Sequence, residues 1–150
     1  MTEIKDLISY QLHTVANLLS RGAELRYRRE FGVSLWEWRT LALLGASDEP
    51  QSLGHLARAA GIDKSQMSRV VSGLAKRKLV VRDANSQDAR GVHLTLSKSG
   101  RKLYTGLIEA ASQRDRAFRG CLTRDEKEAF DSALAKLAGQ ARAFIQQEKK

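Results

Sequence analysis

The spacing of apolar residues is the feature that most restricts what this chain can fold into. Along most of its 150 residues, apolar side chains recur every three or four positions, which is typical of amphipathic helices. Between residues 79 and 96 the pattern changes to alternation, where "LVV" and "VHLTL" flank the polar, turn-rich segment "RDANSQDARG". The pattern therefore predicts a mainly α protein with one small β-hairpin.

Capping residues divide the helical pattern into six helices. The first covers about the first thirty residues, and the second is the strongly apolar segment "LWEWRTLALLG". The predicted N-caps are Ser34, Asp63, Ser97 and Thr123, and the predicted stops are Gly32 and Gly61. Asp63 and Thr123 are followed three residues later by Gln66 and Glu126, which is the spacing of a capping box.

The segment "DKSQMSRVVSGLAKRK", residues 63–78, has two unlike faces when it is placed on a helix. One face is an apolar stripe of Met67, Val70, Val71 and Leu74. The other carries Ser65, Arg69, Ser72 and Lys76, with Gln66 and Ser68 on the flanks. Solvated helix faces usually pair glutamate with lysine, whereas no carboxylate lies between residues 64 and 78. A solvated helix that happens to be basic is the simpler alternative to a binding surface.

Charge favours a polyanionic partner. The formal net charge is +9, and residues 62–90 hold seven lysines and arginines but three acids. Such a balance favours nucleic acid or an anionic surface. The hydrophobic fraction of 42% argues against disorder. No apolar run is long enough to span a membrane, and no signal-peptide pattern opens the chain, so we expect a soluble, cytoplasmic protein.

The sequence shows no arrangement of residues typical of an enzyme or a metal site. It has no carboxylate pair beside a histidine, no glycine-rich phosphate loop and no nucleophile elbow. The single cysteine, Cys121, forms no intrachain disulfide and cannot build a cysteine zinc site. The segment "DANSQD" lacks the glycine and glutamate of a calcium loop. We therefore expect neither catalysis, nor a cofactor, nor a bound metal.

A helix, a turn, a second helix and a hairpin, in this order, form a winged helix-turn-helix, whose second helix lies in the major groove of DNA. Serine and glutamine side chains can hydrogen-bond base edges, and Arg69 can form bidentate hydrogen bonds with a guanine or a phosphate. Lys76 is better suited to a phosphate. The predicted DNA-binding residues of this helix are Lys64, Ser65, Gln66, Ser68, Arg69 and Lys76.

Over nearly its whole length, the chain resembles the MarR family of bacterial transcription regulators. The resemblance rests on "SLWEWRTLALL", on "LGHLARAAGIDKSQMSRVVSGLAKRKLVVR" and on the wing "DARGVHLTLSKSG". Leu94, Leu96, Ser97 and Gly100 match the family's Leu-x-Leu-Thr-x-x-Gly ending, and Asp88 and Arg90 match its Asp-x-Arg wing. We expect Asp88 to orient Arg90 into the minor groove; the alternative is an exposed pair of little consequence.

Two positions depart from the family pattern. Ser68 stands where the family usually has threonine, a change that keeps the hydroxyl. Lys78 stands just after the recognition helix, where the family usually has glycine. The second change bears on how this helix ends, and it leaves the predicted fold unaltered.

The resemblance implies a homodimer that binds a pseudo-palindromic operator, commonly as a repressor, with a pocket for a small-molecule effector. The apolar stripes of the terminal helices, which lack a partner in the middle of the chain, independently favour a dimer. The expected organisation is an N-terminal dimerisation helix (1–33), a DNA-binding region (34–97) and C-terminal dimerisation helices (98–150). The alternative function is that of an architectural or ligand-independent DNA-binding dimer.

Candidate effector-binding residues are His13, Trp36, Trp38 and Arg39. The two tryptophans are two positions apart and cannot share a helix face, so one is expected in the core. The other is expected either to line a pocket or to pack against the dimerisation helices. His13 lies at the level of the first helix where the family's pockets form, although a lone histidine is more often structural. An indole for stacking and a cation for a carboxylate predict a small aromatic or amphipathic anion as the effector.

Overall fold

A computed structural model of the protein describes residues 1–83 and 91–149. After a 3₁₀ turn at Ile4–Asp6, the helices and strands follow one another in the predicted order. The helices are α1 (Ile8–Phe31), α2 (Leu35–Gly45), α3 (Leu53–Ala60), α4 (Lys64–Lys76), α5 (Lys98–Gly120) and α6 (Arg124–Glu148). The strands are β1 (Gln51–Ser52), β2 (Val80–Asp83) and β3 (His93–Leu96).

The predicted helix caps are confirmed. Ser34 and Thr123 each form a reciprocal capping box, with the glutamate three residues later. The Asp63 carboxylate accepts a 2.7 Å hydrogen bond from the Gln66 backbone N–H. At the N-terminus of α6, the Thr123 backbone N–H donates to Glu126 and holds the pKa of that carboxyl below its ordinary value. Local sequence therefore sets most helix boundaries before any long-range packing.

The sheet has three antiparallel strands in the order β1–β3–β2, one more than the predicted hairpin. Val80 lies opposite Leu96 in the β2–β3 pair, and Gln51 lies opposite Leu94 in the β1–β3 pair. The two-residue strand β1 is too short to show an alternating pattern in the sequence. It extends the sheet into the start of α3, whose N-cap Ser52 accepts from the His55 backbone N–H at 3.2 Å.

The hydrophobic core lies between α2, α3, α4 and the sheet. Its fully buried side chains include Leu41, Leu56, Met67, Val71, Leu74 and Leu94. Thr40 is also buried, and its hydroxyl donates to the Trp36 carbonyl at 2.8 Å. The same hydroxyl lies 3.5 Å from the Met67 sulfur. Three of the four predicted stripe residues of α4 are thus completely enclosed, and Val70 is half-buried.

A close approach of two backbones joins α5 to the end of the α4–β2 connection. Ser97 caps α5 by accepting from the Gly100 N–H at 3.0 Å, and it donates to the Lys78 carbonyl at 2.7 Å. A Cβ on Gly100 would collide with the carbonyl oxygen of Leu79. Glycine is therefore required at this position by packing.

The chain divides into two compact units, Met1–Ala110 and Ala111–Lys150. In the second unit, none of the residues of α6 is buried, although all of them are described. Large exposed apolar side chains lie on α6 (Phe130, Leu134, Phe144 and Ile145). In the first unit, large apolar side chains are also exposed at the N-cap of α1 (Leu7) and along the helix (Ile8, Leu12, Val15, Leu18 and Leu25).

Lys78, two residues after the end of α4, has a left-handed backbone conformation. Its φ is +61°, and it is the one non-glycine residue with positive φ among the described residues. Its N–H bonds to the Ala75 carbonyl, and the N–H of Leu79 bonds to the Leu74 carbonyl at 3.0 Å. A lysine thus occupies a conformation that glycine would adopt without steric cost.

We expect Lys78→Gly to stabilise the fold. The left-handed conformation costs an L-residue about 1–2 kcal/mol, and glycine loses part of this gain through about 0.5–1 kcal/mol of extra unfolded-state entropy. The free energy of unfolding, measured by urea denaturation, should rise by about 0.5–1 kcal/mol. Lys78→Ala keeps the Cβ and should bring no gain. An equal gain in both variants would trace the effect to the lysine side chain instead.

Candidate nucleic-acid interface

The outward face of α4 is set by the side chains that its other face buries. Met67, Val71 and Leu74 are enclosed at one side of the helix, so the rotation of the helix about its axis is fixed. Four predicted DNA-binding residues then face solvent with exposed side chains: Lys64, Ser65, Arg69 and Lys76. The other two, Gln66 and Ser68, are half-buried on the flanks.

The described end of the wing reaches the same helix. Arg82 of β2 donates to the Ser72 hydroxyl of α4 at 2.8 Å. Ser72 lies on the exposed side of α4, so this bond places a guanidinium beside the hydroxyl and cationic face. Both predicted wing residues, Asp88 and Arg90, lie outside the described residues.

Arg77, one of the seven lysines and arginines of residues 62–90, makes structural contacts. Its guanidinium donates to the Glu37 carboxylate at 2.7 Å and to the Gly32 carbonyl at 3.1 Å. The other carboxylate oxygen of Glu37 accepts from the Ser34 backbone N–H at 3.2 Å. Arg77 therefore ties the end of α4 to the α1–α2 turn. Sequence reasoning missed this contact because its partners are about forty positions apart.

Two of the four candidate effector-binding residues line one cavity. Trp38 and Arg39 enclose a volume of 400 Å³ together with Ala42, Leu43, Ala59 and Ala60. Trp38 also packs against the buried Tyr27, with ring centroids 5.2 Å apart. The described lining is therefore mainly apolar, with Arg39 as its one charged residue.

The other two candidates, Trp36 and His13, are not among the described residues that line this cavity. The guanidinium of Arg39 lies 4.9 Å from the centre of the Trp36 ring and donates to the Ser20 hydroxyl at 3.2 Å. His13 is exposed on α1, and its ring hydrogen-bonds the Asn17 amide at 3.0 Å.

Within residues 1–83 and 91–149, no three histidine, cysteine, aspartate or glutamate side chains gather as metal ligands. The exposed thiol of Cys121 donates to the Phe118 carbonyl at 2.9 Å. No helix in these ranges has the length and apolarity needed to cross a membrane.

The fold is mainly helical with a small three-stranded sheet, and its exposed α4 followed by paired strands defines a winged helix-turn-helix. Residues 31–91 match the model of the MarR family. The HTH-type transcriptional regulator FarR of Neisseria gonorrhoeae is 33% identical over 102 residues, which are 68% of this chain and 69% of FarR. The chain belongs to the MarR family, and it is a transcription regulator rather than an enzyme.

Solved structures share the fold along nearly the whole chain. A MarR/EmrR family transcriptional regulator from Acinetobacter sp. ADP1 is 25% identical, with a TM-score of 0.85, and the match covers 95% of this chain and 99% of that one. MepR of S. aureus, crystallised in complex with DNA, is 20% identical with a TM-score of 0.80, and 90% and 98% of the two chains are covered. The second likeness concerns the fold alone.

Proposed function

We propose that this chain is a homodimeric, sequence-specific DNA-binding repressor that a small ligand releases from its operator. The observation that carries the proposal is the exposed face of α4. It holds hydroxyls and cations without a carboxylate, while the opposite face is enclosed in the core. DNA repels carboxylates and attracts cations, and its base edges accept and donate hydrogen bonds.

The residues of α4 divide by the chemistry that they can offer. Ser65, Gln66 and Ser68 suit base edges in the major groove, and Arg69 suits a guanine. Lys64 and Lys76, at the two ends of the helix, suit phosphates. MepR, whose fold this chain shares, was crystallised in complex with DNA, which supports DNA as a partner for this fold. Asp88 and Arg90 of the wing complete the proposed contact set.

A second copy of the chain is the proposed partner of the apolar terminal helices. The described residues of α1 and α6 present large apolar side chains to solvent, which is unfavourable for a monomer. Dimerisation through residues 1–33 and 98–150 would cover them and leave residues 34–97 to bind DNA. Two-fold symmetry then matches a pseudo-palindromic operator.

The cavity beside Trp38 and Arg39 is the proposed effector site. Its apolar walls suit an aromatic ring, and the guanidinium suits a carboxylate. The Trp36 ring packs against the Arg39 guanidinium. His13 of α1 is the proposed polar anchor for the ligand. The ligand must bind the DNA-incompetent spacing of the recognition helices better than the competent spacing, and a 100-fold preference corresponds to about 2.7 kcal/mol.

We predict that the protein is a dimer at micromolar concentration. Sedimentation equilibrium should give about twice the mass of the chain, because isolated protomers would leave the apolar faces of α1 and α6 in water. Leu12→Glu together with Val15→Glu should shift the equilibrium to monomer, whereas Glu49→Arg, a charge change at an exposed site in the loop after α2, should not. A wild-type monomer at this concentration would contradict the proposal.

Arg69→Ala and Lys76→Ala should differ in kind. On an operator obtained by selection from random duplex DNA, Arg69→Ala should cost about 1–3 kcal/mol and relax preference at one position of each half-site. Lys76→Ala should weaken all sequences alike and lower the salt dependence of binding. Gel-shift titration gives both, with Arg116→Ala as the control. Unchanged operator affinity of Arg69→Ala would refute the proposed orientation of α4, and absence of any sequence preference would favour an architectural protein.

An aromatic carboxylate should raise the melting temperature and release the operator. Trp38→Leu and Arg39→Gln should each reduce both effects, because they remove the stacking surface and the cation. Arg21→Gln removes an exposed arginine from α1, outside the cavity, and serves as the control. Thermal-shift screening followed by fluorescence anisotropy measures the two effects. A carboxylate that acts undiminished on both cavity variants would place the effector site elsewhere.

A further inference from the structure

Arg77 joins the C-terminal end of α4 to the end of α1. Its Nη1 donates both to the Glu37 carboxylate, at 2.7 Å, and to the Gly32 carbonyl, at 3.1 Å. Its Nη2 lies 3.9 Å from the point that a Cβ on Gly32 would occupy. The guanidinium therefore lies against the turn in which α1 ends and α2 begins.

Both acceptors that Arg77 uses are held in place by other contacts. The turn is anchored by Val33, which is fully buried and whose N–H bonds to the carbonyl of the buried Tyr27 at 3.3 Å. Glu37 accepts from the Ser34 backbone N–H with the carboxylate oxygen that Arg77 does not use. Because these acceptors are fixed, the bonds of Arg77 restrict movement of the helix that carries it.

The contact crosses the boundary between two proposed functional regions. Gly32 ends α1, the proposed dimerisation helix, whereas Arg77 ends α4, which carries the proposed DNA-binding face. Between α1 and α2, residues 32–34 are not helical, so their backbone torsions permit a change of angle between the two regions. The bonds of Arg77 span this segment and oppose such a change.

We propose that Arg77 is a positioning residue for DNA binding. Through Gly32 and Glu37 it holds the DNA-binding region at a fixed angle to α1, and it thereby sets the separation of the two recognition helices in a dimer. One base pair changes the separation of two half-sites by about 3.4 Å and their relative rotation by about 34–36°. The separation therefore selects the half-site spacing. The inference rests on the proposed function, because it needs a homodimer and an operator with two half-sites.

The DNA arm of the test compares the selected operator with duplexes that carry one base pair more or one fewer between the half-sites. Gel-shift titration gives the ratio of affinities for the selected and the altered spacing. Arg77→Gln and Glu37→Gln should each lower this ratio by about two- to fivefold, and the double variant should lower it no further, since both changes remove the same contact. Glu37→Gln keeps the capping box, in which glutamine replaces glutamate, so it tests the contact even if Arg77→Gln unfolds.

Two matched variants separate positioning from other roles. Lys76→Gln removes the neighbouring cation and should weaken all spacings alike. Asp48→Asn removes an exposed carboxylate 3.9 Å from Arg101 and should leave the ratio unchanged. A lower salt dependence of binding in Arg77→Gln, with an unchanged ratio, would make Arg77 a phosphate contact. A lower free energy of unfolding with an unchanged ratio would make its role structural alone. Either result would overturn the inference.

The separation itself is measurable without DNA. In a Cys121→Ser background, Gly73→Cys allows a spin label at an exposed position of α4, where an added Cβ has no close neighbour. Double electron–electron resonance should give a narrow distribution of distances between the two labels of a dimer. The distribution should broaden when Arg77→Gln or Glu37→Gln is added. Equal widths in all three proteins would contradict the inference.

This inference and the proposed function fail in different ways. A wild-type monomer would overturn both. Wild-type dimers that bind no duplex DNA would overturn the proposed function, while broader distance distributions in the two variants would still support the positioning role of Arg77. Wild-type dimers that bind the operator with a spacing preference, together with variants that keep both this preference and the narrow distribution, would overturn the inference alone.

Discussion

The burial of Met67, Val71 and Leu74 is the constraint on which the rest of the structure depends. Each side chain contributes about 1.5–3 kcal/mol when it is fully removed from water, whereas an exposed ion pair contributes about 0–1 kcal/mol. The rotation of α4 is therefore set by apolar packing against α2, α3 and β2. Arg77 adds an ion pair at the C-terminal end of α4, and Arg82 adds a hydrogen bond on its exposed side. The exposed cationic face follows from the buried one.

Much of this fold could be predicted from sequence because its boundaries are local. The predicted N-caps all cap a helix, and Gly32 and Gly61 adopt the left-handed conformation at helix ends. Strand β1 was missed because two residues are too few to show an alternating pattern of apolar and polar side chains. The contact between Arg77 and Glu37 was missed because the two residues are far apart in the sequence. The exposed face of α4 was predicted from the apolar stripe on its opposite side, and DNA binding by this face stays a prediction.

Lys78 departs from the family pattern, and its backbone conformation shows the physical consequence of this departure. The sequence indicates an unusual residue after α4, and the structure shows that this residue takes the backbone conformation that glycine would take. Its carbonyl is held by Ser97 and its N–H by Ala75, so the surrounding hydrogen bonds keep the turn closed despite the steric cost. The end of the recognition helix thus depends on α5 as well as on its own sequence.

The central claim is that the exposed face of α4 binds DNA while its buried face holds the helix in place. The most direct measurement is a ¹⁵N–¹H correlation spectrum of the protein, recorded during titration with the selected operator. We expect the largest shift changes at the amides of Ser65, Arg69 and Ser72, with the exposed residues of α6 unchanged. Changes concentrated on α6, with α4 unaffected at saturating DNA, would contradict this account.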